Sequence, residues 1–192
     1  MMAWKNDQVS DSETKEIIKL AREQLNCQGD FVELGCYKGD TSLLLLDTLK
    51  GSGKRLWIYD SFEGLPEKRS EDESVMGESF KGGELYVTKR EVKERFLRAG
   101  LSVPVIKKAW FSELSGADLP EVIALAFLDG DFYESIKDSL KLVETKMAKG
   151  GVIIIHDYNN LALPGVAKAV NEWLYGHELN VRIFQSMAIV YN

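Results

Sequence analysis

The sequence predicts an α/β domain with a mostly parallel seven-stranded sheet, and three observations point there. Phe31 to Asp60 reads as a strand, a glycine loop, a helix and a second strand that closes on an acid. Farther along, short apolar runs alternate with segments of helical periodicity. The chain then finishes in two strand-like segments around Gln185 and Ser186, read as a terminal antiparallel hairpin. With 192 residues, 45% of them hydrophobic, the chain can bury one substantial core, and no shift in composition marks an internal boundary. One domain over residues 1–192 is expected.

The elements follow in order. Residues 10–27 form a helix, with Ile17, Ile18, Leu20, Ala21 and Leu25 on one face and Gly29 as the stop. This N-terminal helix, within residues 1–28, is expected to pack across the sheet edge or over a bound cofactor. Residues 31–34 are the first strand and residues 41–50 the helix after the glycine loop. G-S-G at 51–53 turns the chain into a strand over 55–59. From 63 to 88 the pattern breaks into a polar, glycine-rich stretch, either a solvated excursion or a lid over the substrate. Thr88 with Glu91 makes a capping box that starts a helix to about Leu97. Residues 103–107 are a short strand whose Pro104 suits an edge or a strand start. Residues 122–128 are a continuous apolar run ending in Asp129, as a buried parallel strand should be. In the helix over 133–149, Ile136, Leu140, Val143 and Met147 form one stripe, and G-G at 150–151 stops it. Residues 152–155 are the fifth strand, 166–175 the last helix, and 181–184 with 187–191 the hairpin. Five alternating strands followed by such a hairpin make the three-layer, Rossmann-like class I methyltransferase fold, whereas dinucleotide-binding domains continue with parallel strands.

Charge narrows the ligands. The net charge is −6 and basic residues are scattered among acids, so nucleic acid and anionic membranes are poor partners and a small molecule is a better one. The polar N-terminus lacks a signal core, and no apolar run approaches the ~20 residues of a membrane span, so a cytoplasmic protein is expected. Cys27 and Cys36 are too few for a disulfide framework and are read as reduced thiols. The lid and the N-terminal helix offer surfaces for a homodimer.

The glycine loop is a nucleotide-cofactor signature in which Gly35 and Gly39 admit close approach and Asp60 reaches a ribose diol. Its neighbours carry more. E-L-G-C-Y-K-G-D-T-S at 33–42, Y-D-S-F-E-G-L-P at 59–66, A-W-F-S-E-L at 109–114, L-D-G-D-F-Y-E-S at 128–135 and G-G-V-I-I-I-H-D-Y at 150–158 together resemble the macrocin O-methyltransferase family. The order and spacing hold from about Phe31 to Tyr191. The resemblance implies S-adenosylmethionine as cofactor and a hydroxyl of a small molecule, a sugar or natural-product glycoside, as acceptor. On that basis Glu33 and the loop from Gly35 through Cys36 and Gly39 to Thr41 would hold the methionine portion, although Glu33 could instead cap the following helix. Asp60 would take both ribose hydroxyls, Ser61 and Phe62 would border the adenine, and Trp110 and Phe111 would add aromatic surface beside it or enter the core.

The chemistry is expected where strands four and five end. Asp129, His156 and Asp157 emerge on one side of the sheet, Asp129 also bordering the cofactor, and their donors suit a divalent ion such as Mg2+. Such an ion lowers the pKa of a coordinated hydroxyl and fixes it for direct displacement. In the resembling family the position of His156 is commonly a second aspartate. The competing chemistry is metal-free, with His156 as general base oriented by Asp157. Asp131 could line the pocket mouth or cap the next helix, Asn159 and Asn160 could meet polar substrate groups, and Phe80 and Tyr158 could flank a sugar ring. His177 reads as a solvated turn residue. Two further readings are an NAD-dependent dehydrogenase, disfavoured because the loop is G-x-x-x-G, and a non-catalytic cofactor-binding protein of the same fold.

Overall fold

Strands buried on both faces need helices on both faces. The computed structural model, which describes residues 8–76 and 80–192, meets that need with three layers. Helices α1 (Asp11–Glu23), α2 (Asp40–Thr48) and α3 (Lys89–Arg98) cover one face, and α4 (Tyr133–Glu144) and α5 (Pro164–Leu174) cover the other. Between them lie β1 (Asp30–Leu34), β2 (Leu56–Asp60), β3 (Val105–Lys108), β4 (Ile123–Leu128), β5 (Met147–Ile155), β6 (Asn180–Phe184) and β7 (Met187–Tyr191). The sheet order is β3-β2-β1-β4-β5-β7-β6. Strands β1 to β5 are parallel, and β7 runs antiparallel to both β5 and β6. Side chains alternate as a pleated sheet requires. Phe31, Ile58, Phe127, Ile154 and Ile189 point to the α1–α3 layer, while Val32, Tyr59, Leu128, Ile155 and Val190 point to the α4–α5 layer.

The expected elements form, with informative shifts. Helix α1 ends at Glu23 and passes into a 3-10 turn, Gln24–Asn26. It packs on α2, and its first turn is tied to the terminal hairpin at the carboxyl end of β5, with Gln8 just before it lining the pocket there: Glu13 accepts from the Ser186 amide at 2.9 Å, and Arg182 pairs with Glu16 at 2.5 Å. Helix α4 stops at Glu144, five residues before the expected end, and Met147 opens β5 instead of completing the helical stripe. The cause is tertiary. The Lys146 carbonyl accepts from the Ile123 amide at 2.8 Å, drawing the chain into the sheet. The register then jumps from Ile123 opposite Met147 to Leu125 opposite Val152, so Gly150 and Gly151 belong to a bulge within the strand. Strand β3 is an edge strand that begins just after Pro104.

The segment expected as a lid is folded against the body. Its ends pair through Leu65 N–H to Glu84 O at 2.8 Å and Gly83 N–H to Leu65 O at 2.9 Å. A 3-10 turn at Ser70–Asp72 docks on α5. Residues 77–79 of that segment, like residues 1–7, lie outside the described residues. Among the described residues no helix is long and apolar enough to cross a membrane.

Candidate active site

The carboxyl ends of β1 to β5 open into one pocket, the place where parallel sheets bind ligands. The first wall is the glycine loop. Gly35 follows β1 at φ +90°, and a Cβ there would lie 2.0 Å from the Asp129 carbonyl oxygen, so only glycine lets β1 and β4 close at this point. The chain then turns so that the amides of Cys36 and Tyr37 both donate to Asp60 Oδ2, at 2.9 and 3.2 Å, while Phe62 N–H donates to Oδ1 at 2.7 Å. A carboxylate has about four acceptor positions. Three are filled by backbone, which leaves one for a ribose hydroxyl; accepting two requires the Tyr37 amide, the longest of the three bonds, to yield. Cys36 contributes only its amide, because burial and the nearby Asp60 and Glu33 carboxylates hold its thiol well above the usual range.

Other expected cofactor residues are distributed differently. Ser61, Trp110 and Phe111 line the pocket. Phe62 is buried in the α1–α3 core and is not among the residues that line the pocket. Gly39 caps α2 in the left-handed region and faces Phe96, and Thr41 is buried in the first turn of α2; neither belongs to the wall. Glu33 lies beneath it. Its Oε2 accepts from Ser42 Oγ at 2.5 Å, and Oε1 is buried with no hydrogen-bond partner. Burial, opposed by the Ser42 bond and reinforced by Asp129, Asp60 and Asp40, pushes this carboxyl up to about 8.

That orphaned acid makes a prediction. Because its folded pKa exceeds its ordinary 4.5, the protonated form is the one the fold favours, fully so below pH 4.5. Stability is then lost as pH rises from 4.5 through 8, by on the order of a few kcal/mol. Glu33→Gln should abolish that loss, so thermal melts of the ligand-free protein should show the variant more stable than the parent at pH 9. Equal pH slopes in the two proteins contradict an isolated buried carboxyl.

The opposite wall carries the acids. Backbone bonds from Asp129 N–H to Leu34 O and from His156 N–H to Leu128 O extend the sheet and set these residues side by side. His156 Nδ1 lies 3.0 Å from Asp129 Oδ1 and 2.9 Å from Asp157 Oδ2. Burial opposes charge on this ring, but the two carboxylates outweigh it and hold its pKa well above that of an ordinary histidine. Asp157 is driven up by burial yet ends below its usual value because His156 and Asn160 bond to it. Asp131 also lines the pocket, where burial and the charges of Asp129 and Asp157 push it well above the carboxylate range. It does not cap α4, whose N-cap is Phe132. One ligand atom each from Asp129, His156 and Asp157 fall within 4.8 Å of one another, a donor set that fits one divalent cation. Strain concentrates here: Tyr37, Phe80, Leu85, Asp131 and Asp157 all have positive φ and all line the pocket.

With this geometry the sequence matches the Macrocin-O-methyltransferase (TylF) family over residues 12–190. The chain belongs to the macrocin O-methyltransferase family. A similar protein is the 8-demethyl-8-(2,3-dimethoxy-alpha-L-rhamnosyl)-tetracenomycin-C 4'-O-methyltransferase of Streptomyces olivaceus, 34% identical over 154 residues. The match covers 76% of this chain and 58% of that protein, so the chain spans little more than half of its relative. Among solved structures, the O-methyltransferase NovP superposes with a TM-score of 0.79 at 24% identity, covering 94% of this chain and 79% of that one. SAH-bound PaMTH1 of Podospora anserina shares the fold at a TM-score of 0.68 and 12% identity, covering 95% and 79%. The fold is that of the class I methyltransferases.

Within this macrocin O-methyltransferase family frame, Phe80 and Asn160 line the pocket as expected. Tyr158 does not; its hydroxyl bonds Asn171 at 2.9 Å, and Asn159 is held by its amide to Ser186 O at 3.0 Å. His177 is exposed and accompanies Trp173, far along the chain from the acids. Sequence reasoning included Tyr37 only as part of the glycine loop, and it overlooked Gln8, which precedes any periodic pattern and gave no signal.

Proposed function

We propose that this chain is an S-adenosylmethionine-dependent O-methyltransferase acting on a sugar hydroxyl of a small natural-product glycoside, assisted by a divalent cation at Asp129, His156 and Asp157. The observation that carries it is that Asp60, the glycine loop and this donor set line one pocket. The Streptomyces olivaceus relative, named for methylating a rhamnosyl position, supports the acceptor class, and the SAH in the Podospora anserina structure supports the cofactor.

The residues divide the work. Asp60 holds a ribose hydroxyl while Trp110 and Phe111 offer flat surface to the adenine. Glu33, buried beneath the wall and lacking a partner at Oε1, would meet the cofactor ammonium through water and would ionise as that positive charge binds. A cation bound at the acid cluster supplies Lewis acidity that lowers the acceptor hydroxyl's pKa. A cofactor held there would supply the methyl group to the acceptor oxygen with its sulfur as the leaving atom, and the acid cluster, whose Asp129 is its most exposed member, would take the hydroxyl proton. The metal-free alternative uses the same three residues, with His156 as general base held between the Asp129 and Asp157 carboxylates, and the chelator arm of the test separates the two.

The test supplies labelled S-adenosylmethionine and a panel of rhamnosylated acceptors, with magnesium or with excess chelator. Transfer with magnesium and its loss on chelation are expected. Full activity in chelator contradicts the cation and returns His156 to the role of base. Failure on every acceptor, with cofactor still bound, favours a binding protein of the same fold.

A further inference from the structure

Helix α4 has no cap of its own. Its N-cap residue Phe132 makes no side-chain bond to the first turn, although the leading amides of a helix need partners from outside it. The Tyr133 amide finds one 61 residues earlier in the chain, donating to Asp72 Oδ1 at 2.7 Å. Asp72 closes the 3-10 turn between β2 and α3, is 2% exposed, and accepts at Oδ2 from the Arg69 amide at 3.2 Å. A buried carboxylate is tolerated only when hydrogen-bonded, and here two amides and the positive end of α4 provide for it. Gly165 in α5 leaves the slot, since a Cβ there would lie 2.0 Å from Asp72 Oδ1 and 2.9 Å from the Tyr133 nitrogen.

The position of this bond matters more than its strength. Tyr133 directly follows the turn that carries Asp129 and Asp131, while Leu65 and Pro66, a few residues before Asp72, line the same pocket. The flanking ion pairs, Arg69 with Glu134 and Lys168 with Glu71, are largely exposed and contribute little. We propose that Asp72 is a positioning residue: by capping α4 from the segment between β2 and α3, it fixes the turn bearing Asp129 and Asp131 and holds that segment against the pocket. Its catalytic consequence rests on the methyltransferase reading, and its structural part rests on the geometry alone.

Hydrogen exchange read on peptides covering residues 62–76 and 129–136 separates the two, in the parent and in Asp72→Ala, Asp72→Asn and Gly165→Ala. Asp72→Ala and Gly165→Ala should speed exchange in both peptides together and leave the central strands protected. S-adenosylhomocysteine should bind roughly five- to tenfold more weakly, the factor one helix cap represents. Asp72→Asn keeps an oxygen for the Tyr133 amide and should recover most of both effects. Uniformly faster exchange throughout the sheet, a change in only one peptide, or an asparagine variant no better than alanine overturns the proposal. If the parent itself binds no S-adenosylhomocysteine, the methyltransferase reading fails, while the exchange comparison still decides whether Asp72 is the anchor.

Discussion

Asp157→Ala is expected to lower the rate of methyl transfer on the order of 10³-fold, as loss of a preorganised charged group at the reacting oxygen does. Affinity for S-adenosylhomocysteine should change by less than about threefold. The asymmetry follows from position. Asp157 lies at the end of β5 with His156 and Asn160, and among the described residues no bond ties it to the glycine loop or to Asp60. Single-turnover kinetics beside equilibrium binding check both numbers. Unchanged turnover on an identified acceptor places the chemistry elsewhere, and equal losses in binding and turnover assign Asp157 to the cofactor instead. Asp157→Asn, which keeps the shape and the Asn160 contact but not the charge, should resemble alanine in turnover.

The second large effect belongs to Asp60, and it should fall on binding. Asp60→Ala removes the acceptor for three amides, those of Cys36, Tyr37 and Phe62. Leaving partly buried donors unpaired costs about 1–3 kcal/mol each, so the melting temperature should fall clearly while the fold persists. Affinity for S-adenosylhomocysteine should drop at least about 100-fold, since both the ribose acceptor and the shape of the loop are lost. Titration calorimetry with parallel melts checks the pair. Parent-like affinity in a destabilised variant shows that Asp60 is only a strut of the loop.

Much of this was legible in the sequence because local signals agreed with tertiary demands. The apolar run before Asp129 needed only to be buried, and the capping box at Thr88 was self-contained. Where a distant partner decides, the sequence was silent or misleading. Met147 fits a helical stripe perfectly well until β4 recruits it, and Phe62 reads as a pocket aromatic although the α1–α3 layer buries it. Asp72 sits in a polar stretch with no periodicity, and the partner that gives it its role, the Tyr133 amide, lies on a helix far along the chain. The acids of the site were visible as residue types at strand ends. Their mutual geometry, with one imidazole nitrogen between two carboxylates, was not.

Titration of the protein with S-adenosylhomocysteine and, separately, with NADH tests the central claim most directly. The account predicts saturable binding of S-adenosylhomocysteine that Asp60→Ala removes, and no binding of NADH. Tight NADH binding without any S-adenosylhomocysteine binding contradicts it.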